Sequence, residues 1–68
     1  MTLTFHPGDG QRRSRLALWA DTPFGPYVLD EGHVYGPNHS DIGTCRTVAE
    51  GKRMARKDWD MRLREARR

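Results

Sequence analysis

The strongest hydrophobic pattern lies in the last third of the chain. Between Thr47 and Arg68, small and apolar residues recur every three or four positions, which is the spacing of one side of an α-helix. Thr47, with Glu50 three residues later, has the form of a capping box at a helix N-terminus. Gly51 lies on the apolar side, where a missing side chain permits close approach. The pattern predicts a helix over residues 48–66 with a core stripe of Val48, Gly51, Ala55, Trp59, Leu63 and Ala66.

The first half of the chain alternates polar and apolar residues over short stretches separated by Gly and Pro, which is typical of strands and turns. Strands are predicted over residues 2–6, 12–20, 27–31 and 33–36. In the second of these, one face is formed by Leu16, Leu18 and Ala20 and the other by Arg15, Ala17 and Trp19. The segment 42–44 is either a short last strand or an anchored approach to the helix. The expected fold is α+β, with a small three- to four-stranded antiparallel sheet and one C-terminal amphipathic helix packed across it.

Length and composition add limits to this picture. The 68 residues, of which 35% are hydrophobic, predict a single domain over residues 1–68 with a small core. The single cysteine, Cys45, excludes an internal disulfide and favours a cytoplasmic location. The longest apolar run, residues 16–20, is far shorter than a membrane span, and the N-terminus lacks the pattern of a signal peptide. We therefore expect no contact with a membrane.

The positive charge is concentrated at the C-terminal end. The net charge is zero over residues 1–30, −2 over residues 31–45 and +5 over residues 46–68. A helical wheel groups most of these bases in a sector of about 100°, formed by Arg53, Arg56, Lys57, Arg64 and Arg67. This sector suits either nucleic acid or an acidic protein. The alternative is a solvated helix surface with internal ion pairs, for which Asp58–Arg62 and Asp60–Arg64 have the favourable spacing.

Two methionines lie on a flank of the predicted helix. Met54 and Met61 are seven residues apart and therefore project from similar directions. Adaptable Met side chains suit an interface with a partner or with a second copy of the chain. The alternative is that they cover the edge of the core.

The residues that could carry chemistry form no recognisable motif. The metal-ligating types cluster over residues 30–45, without the spacing of a zinc site. They are His33, His39, Cys45, Asp30, Glu31 and Asp41. A nucleophilic Cys45 assisted by His33 or His39 lacks any sign of an orienting group or an oxyanion hole. We expect no catalytic residues, no metal and no cofactor, so the chain is interpreted as a binding protein rather than an enzyme.

Two stretches resemble a family of short proteins encoded by bacteriophages and prophages. The first is residues 19–27, a tryptophan, a small turn with glycine and an aromatic strand. The second is residues 42–59, in which a capped helix runs through a Glu-x-Lys segment to an acidic-aromatic pair. Gly51 stands where that family usually has alanine, and Trp59 where it more often has tyrosine. The resemblance implies a phage accessory protein with a sheet-plus-helix fold, and it carries no catalytic residues.

A shorter stretch, residues 51–56, is similar to the basic start of the last helix in double-stranded-RNA-binding domains. Lysines at that helix N-terminus meet phosphates across a groove. That domain also has an additional N-terminal helix, which the Pro and Gly residues before Leu16 do not predict here. The resemblance implies local phosphate binding rather than the whole domain.

The main hypothesis is a non-enzymatic phage accessory protein that engages a host protein or protein complex, with inhibition of a defence complex, an anti-CRISPR-like role, as one form. The alternative is a nucleic-acid-binding protein that uses the basic side of the helix together with Arg12, Arg13 and Arg15 to contact DNA or RNA. A homodimer through the helices remains a further reading. The loop over residues 36–41 is a secondary candidate for contact. The predicted partner-binding residues are Arg53, Met54, Arg56, Lys57, Met61 and Arg64.

Overall fold

The computed structural model describes residues 3–67 and contains one antiparallel sheet with one helix against it. Five strands follow one another in space in chain order, β1-β2-β3-β4-β5, each antiparallel to its neighbour. A short 3-10 turn, Pro37–His39, lies between the last two strands. The elements are β1 (His6–Pro7), β2 (Leu18–Ala20), β3 (Tyr27–Asp30), β4 (His33–Tyr35), β5 (Asp41–Thr44) and α1 (Val48–Ala66). The α+β prediction is confirmed, and the strand number is five rather than three to four because residues 41–44 pair with β4.

The helix has the predicted bounds. The Thr47 side chain accepts a hydrogen bond from the backbone N–H of Glu50 at 3.1 Å, which closes the first turn. The Glu50 carboxylate reaches back to the backbone N–H of Arg46 at 3.4 Å, one residue earlier than a standard capping box. Local capping and an uninterrupted periodic pattern therefore fix the start of α1 before any tertiary contact is considered.

The core lies between α1 and one face of the sheet. The helix contributes three residues of the predicted stripe, Gly51, Ala55 and Trp59, all buried. The prediction is wrong at the ends of the stripe, where Val48 is 53% exposed and Ala66 is exposed. At about 1.5 Å per residue the 19-residue helix is about 28 Å long, whereas strands of three or four residues extend only about 10–14 Å. The sheet face is formed by Ala20, Tyr27, Leu29 and Val34.

The first predicted strand is largely replaced by an extended segment. Pairing with β2 is restricted to His6–Pro7, and Thr2 of the predicted strand lies outside the described residues. The predicted alternation nevertheless holds in burial, because Leu3 and Phe5 pack against the core and Thr4 is exposed. The segment therefore covers one side of the helix without the hydrogen bonds of a strand.

The prediction of a second strand over residues 12–20 is wrong for its first six residues, 12–17, because β2 begins at Leu18. One carboxylate oxygen of Asp9 accepts the backbone N–H groups of Gln11, Arg12 and Arg13 at 2.8, 3.0 and 3.2 Å. This local network competes with strand pairing, as Asp side chains commonly do in turns. Leu16 is consequently 87% exposed rather than on the core face.

Both outer edges of the sheet have features that oppose the addition of another strand. The two-residue β1 ends at Pro7, which has no backbone N–H to donate. In β5 the register shifts between Val34 and Tyr35 of its neighbour, so Ile42 forms a bulge, and Gly43 has a φ of +146°. Partners are therefore expected on the faces of the molecule rather than on its edges.

Gly51 of α1 lies directly against Leu29 of the sheet, and Gly51→Ala is expected to destabilise the fold. A Cβ at this position would lie 2.2 Å from Leu29 Cδ2 and 2.9 Å from Cys45 Sγ. In an exposed helix the same change would stabilise by about 1 kcal/mol. Because overpacking a closed core costs about 1–3 kcal/mol, we expect a net loss of about 1 kcal/mol in the free energy of unfolding, measured in urea.

The double variant Gly51→Ala/Leu29→Val tests the cause. Valine removes the atom that the new methyl group meets. Gly51→Ala should therefore cost less free energy of unfolding in the Leu29→Val background than in the wild-type background. Equal losses in the two backgrounds would contradict this steric explanation.

Candidate partner-binding surface

The side of α1 that faces away from the sheet is a continuous basic surface. Five of the six predicted partner-binding residues are exposed there, and the sixth, Met54, is half-buried. We call this the α1 outer surface and add Lys52, which is also exposed. It comprises Lys52, Arg53, Arg56, Lys57, Met61 and Arg64.

A groove runs between the α1 outer surface and the N-terminal segment. It encloses about 390 Å³ and combines apolar side chains from Leu3 and Phe5 with charged side chains from the helix. Its charged side chains are Lys52, Arg53, Arg56, Lys57 and Asp60, so bases outnumber acids four to one. We call this the N-terminal groove. Its contribution from Leu3 and Phe5 could not be found in the helix pattern, because it depends on the tertiary position of the first residues.

Ion pairing differs between the bases of this groove. Asp60 binds Arg56 at 3.3 Å, between Nε and Oδ1, and not Arg64 as its spacing predicted. Helical side chains tilt towards the N-terminus, which directs Asp60 to the preceding turn. Among the described residues, Lys52, Arg53 and Lys57 form no salt bridge. Their charge is available to a partner.

The other flank of α1 forms a groove of about 440 Å³ against β5. Ile42, Met54 and Met61 contribute its apolar part. Met54 packs against the core and lies close to Gly43, whereas Met61 is 53% exposed. Each interpretation of the methionines thus fits one of them: Met54 covers the core edge, and Met61 is open to a partner.

Two charged residues of this second groove, Asp58 and Arg62, are bound to each other. Arg62 Nε donates to Asp58 at 2.8 Å, which confirms the predicted pair, and its Nη2 donates to Ser40 Oγ at 3.3 Å. Asp58 also accepts the hydroxyl of Tyr27 at 2.5 Å. Burial, followed by this bond to a carboxylate, raises the pKa of Tyr27 well above its ordinary value. The network joins helix, sheet and the turn before β5, so its role is structural.

The residue types that could bind metal do not converge. Across residues 3–67, no group of three His, Cys, Asp or Glu side chains is placed to hold an ion. His33 is instead bound to Asp41, with 2.7 Å between Nε2 and Oδ1, and it stacks on Tyr35. Cys45 is half-buried beside Gly51.

Arg12, Arg13 and Arg15 lie in a loop and not on the strand predicted for them. Arg13 is bound to Asp21 through two hydrogen bonds of 2.7 and 3.1 Å. This guanidinium lowers the pKa of the Asp21 carboxyl group. Arg13 therefore offers less free charge than the sequence suggested.

The chain matches no protein-family model, no curated protein and no solved structure. In the described part of the chain, no helix has the length and apolar character needed to cross a membrane.

Proposed function

We propose that this chain is a non-enzymatic phage accessory protein that binds an acidic surface of a host protein or protein complex through the α1 outer surface. The observation that carries the proposal is the N-terminal groove. There, Lys52, Arg53 and Lys57 have no ionic partner among the described residues and lie beside the apolar Leu3 and Phe5.

The mixture of groups favours protein as the partner. Arg, Met and aromatic side chains are enriched at the centres of protein interfaces, and the proposed contact contains Arg53, Met61 and Phe5. The desolvated charges would fix register and accelerate encounter, while the apolar residues would supply affinity. Blocking the activity of a host or defence complex, as an anti-CRISPR protein does, is the functional form that suits a small binding module of this kind.

Nucleic acid is the second candidate, and one observation favours it. Lys52, Arg53 and Lys57, which form no salt bridge among the described residues, lie within six consecutive helix positions, where they can follow a phosphate backbone. Three phosphate contacts give a slope of about −3 in the logarithm of the binding constant against the logarithm of salt concentration. Asp60, in the middle of the same groove, opposes this reading.

Capture of partners from a lysate of the natural host, with and without nuclease, tests the proposal. We expect wild type to retain a specific host protein after nuclease treatment. The variant Arg53→Glu/Lys57→Glu should lose it, because two charge reversals oppose an acidic partner. The matched control is Arg12→Glu/Arg15→Glu, which changes the net charge by the same amount in an exposed loop away from the helix. This control variant should retain the host protein.

Two outcomes contradict the protein-binding proposal. If the retained material disappears with nuclease, and purified protein binds duplex RNA or DNA with a salt slope near −3, the second candidate replaces it. If the helix variant captures the same host protein as wild type, the α1 outer surface is not the binding surface. Circular dichroism of each variant verifies that α1 is intact.

A further inference from the structure

The face of the sheet opposite α1 carries a transverse row of side chains. Trp19 of β2 is directly opposite Val28 of β3, which is directly opposite Tyr35 of β4. Directly paired residues of antiparallel strands project from the same face, and their neighbours in sequence are buried against the helix. These three residues line a cavity of about 410 Å³, which is in the range of ligand sites. We call it the aromatic slot.

Both rings of the aromatic slot are held in place by other residues. Tyr35 stacks on His33 with 4.5 Å between ring centroids. The Trp19 indole N–H donates to the Ser14 carbonyl at 3.1 Å, and the Arg13 guanidinium lies 4.9 Å from its ring centroid. Fixed rings lose little conformational entropy on binding, so the slot is preorganised.

One wall of the aromatic slot is a strained turn. Asn38 and His39 both have left-handed backbone conformations, with φ of 60° and 58°. The left-handed conformation is disfavoured for most non-glycine residues and is better tolerated by Asn, so the strain lies mainly at His39. The Gly36 backbone N–H donates to the Ser40 carbonyl and the Ser40 backbone N–H donates to the Pro37 carbonyl. Arg62 also donates to the Ser40 hydroxyl. Strain kept at the edge of a cavity is a feature typical of binding sites.

The charges around the slot oppose a phosphate-bearing ligand. Asp41 is paired with Tyr35 across the strands; its carboxylate is bound to His33, yet its side chain is still 69% exposed. Asp30 lies two residues from Val28. Arg13, the basic residue that contacts Trp19, is already bound to Asp21. The surroundings favour an uncharged, apolar ligand segment with a basic group at one side.

The dimensions oppose a second copy of the chain as the occupant. Four strand spacings of about 4.8 Å and strands about 10 Å long give a sheet face on the order of 200 Å². A stable protein interface needs about 800 Å² per partner. A single extended segment is the better fit.

We propose that the aromatic slot binds a proline-rich peptide in the polyproline II conformation. Trp19 and Tyr35 are separated by two strand spacings, about 9.6 Å, and three residues of a polyproline II helix rise about 9.3 Å. Prolines three residues apart therefore meet the two rings, with Val28 beneath the residues between them. A basic residue flanking the prolines lies towards Asp41. Aromatic-lined grooves recognise such preformed segments at low entropic cost. This site is separate from the α1 outer surface and does not depend on the function proposed for it.

Fluorescence anisotropy with a labelled peptide tests this inference. The probe contains two Pro-x-x-Pro repeats with two arginines at one end, and a second probe has the arginines at the other end. We expect saturable binding of at least one probe, and weakening of about tenfold or more with Tyr35→Ala, a typical loss for an aromatic anchor. Replacing the prolines by alanine should abolish binding, and replacing the arginines by glutamate should weaken it several-fold.

Two further variants separate binding from folding. His39→Gly relieves the left-handed strain and should raise the melting temperature of the protein. The same change removes a side chain that lines the slot, so the affinity for the peptide should fall. Arg53→Glu/Lys57→Glu should leave peptide affinity unchanged. No saturation at 1 mM of either probe, equal binding of the alanine peptide, or tighter binding of oligo(dT) that Tyr35→Ala removes would each overturn the inference.

Discussion

Replacing Trp59 with alanine is expected to leave the chain largely unfolded in dilute buffer. Trp59 is 2% exposed and contacts Phe24 and Tyr27 edge-to-face, with ring centroids 5.6 and 6.4 Å apart. Removing a buried aromatic side chain costs about 3–5 kcal/mol. In a chain below about 70 residues, a single hydrophobic core rarely supplies more than about 3–5 kcal/mol of stability. Loss of helical circular dichroism and of a cooperative urea transition is the measurement.

Trp59→Phe provides the matched control. The buried indole N–H has no hydrogen-bond partner among the described residues, so phenylalanine removes an unsatisfied donor together with part of the ring. We expect this variant to remain folded and to lose about 1–2 kcal/mol, at the low end for a core substitution. A fully folded Trp59→Ala protein would refute the central role given to this side chain.

Replacing Asp58 with alanine should lower the stability by about 2–3 kcal/mol. Asp58 is 19% exposed in its side chain and is the shared acceptor of Arg62 and Tyr27. Its removal leaves a buried hydroxyl without its partner and releases the clamp on Ser40. For a domain of this size the melting temperature should fall by on the order of 10–20 °C.

The matched control is Asp60→Ala, which removes the same charge two residues further along α1. Its partner Arg56 is 50% exposed, and exposed ion pairs contribute only about 0–1 kcal/mol. Comparable losses for the two variants would contradict the structural role assigned to the Asp58 network.

The same network predicts a dependence on alkaline pH. The pKa of Tyr27 is raised in the folded state relative to its ordinary value of 10.0, first by burial and then by Asp58. The stability from the protonated hydroxyl is therefore complete below pH 10.0 and declines as the pH rises above it, by at most about 1.4 kcal/mol per pH unit. Urea unfolding of wild type between pH 9 and 11.5 should show a steeper decline than Tyr27→Phe, with Tyr35→Phe as control.

The sequence predicted those parts of the fold that depend on neighbouring residues. The helix bounds follow from Thr47, Glu50 and a 3.6-residue period, and all of these are local. The prediction for the second strand was wrong over residues 12–17 because Asp9, which precedes that strand, accepts hydrogen bonds from the backbone of the loop. The predicted number of strands was too low because the pairing of β5 requires a bulge at Ile42, and an alternating polar and apolar pattern does not reveal a bulge.

In the binding surfaces, too, the features set by neighbouring residues were predictable, and those set by long-range contacts were not. The bases of the α1 outer surface were predictable from helix periodicity, but the roles of Leu3 and Phe5 were not, because they depend on where the N-terminal segment crosses the helix. Trp19 was placed correctly on the face opposite Ala20, whereas its alignment with Tyr35 requires the register of three strands. Register is a long-range property, so single-residue patterns determine it poorly.

The proline at one sheet margin and the bulge at the other have a consequence for the protein at high abundance. Small antiparallel sheets with open margins grow into fibrils by recruiting identical copies one strand at a time. Here Pro7 lacks a backbone N–H donor at one edge of the sheet. At the other edge, the bulge at Ile42 and Gly43 interrupts the regular hydrogen-bonding pattern that another strand would need. These two features oppose edge-to-edge polymerisation of the protein at high concentration.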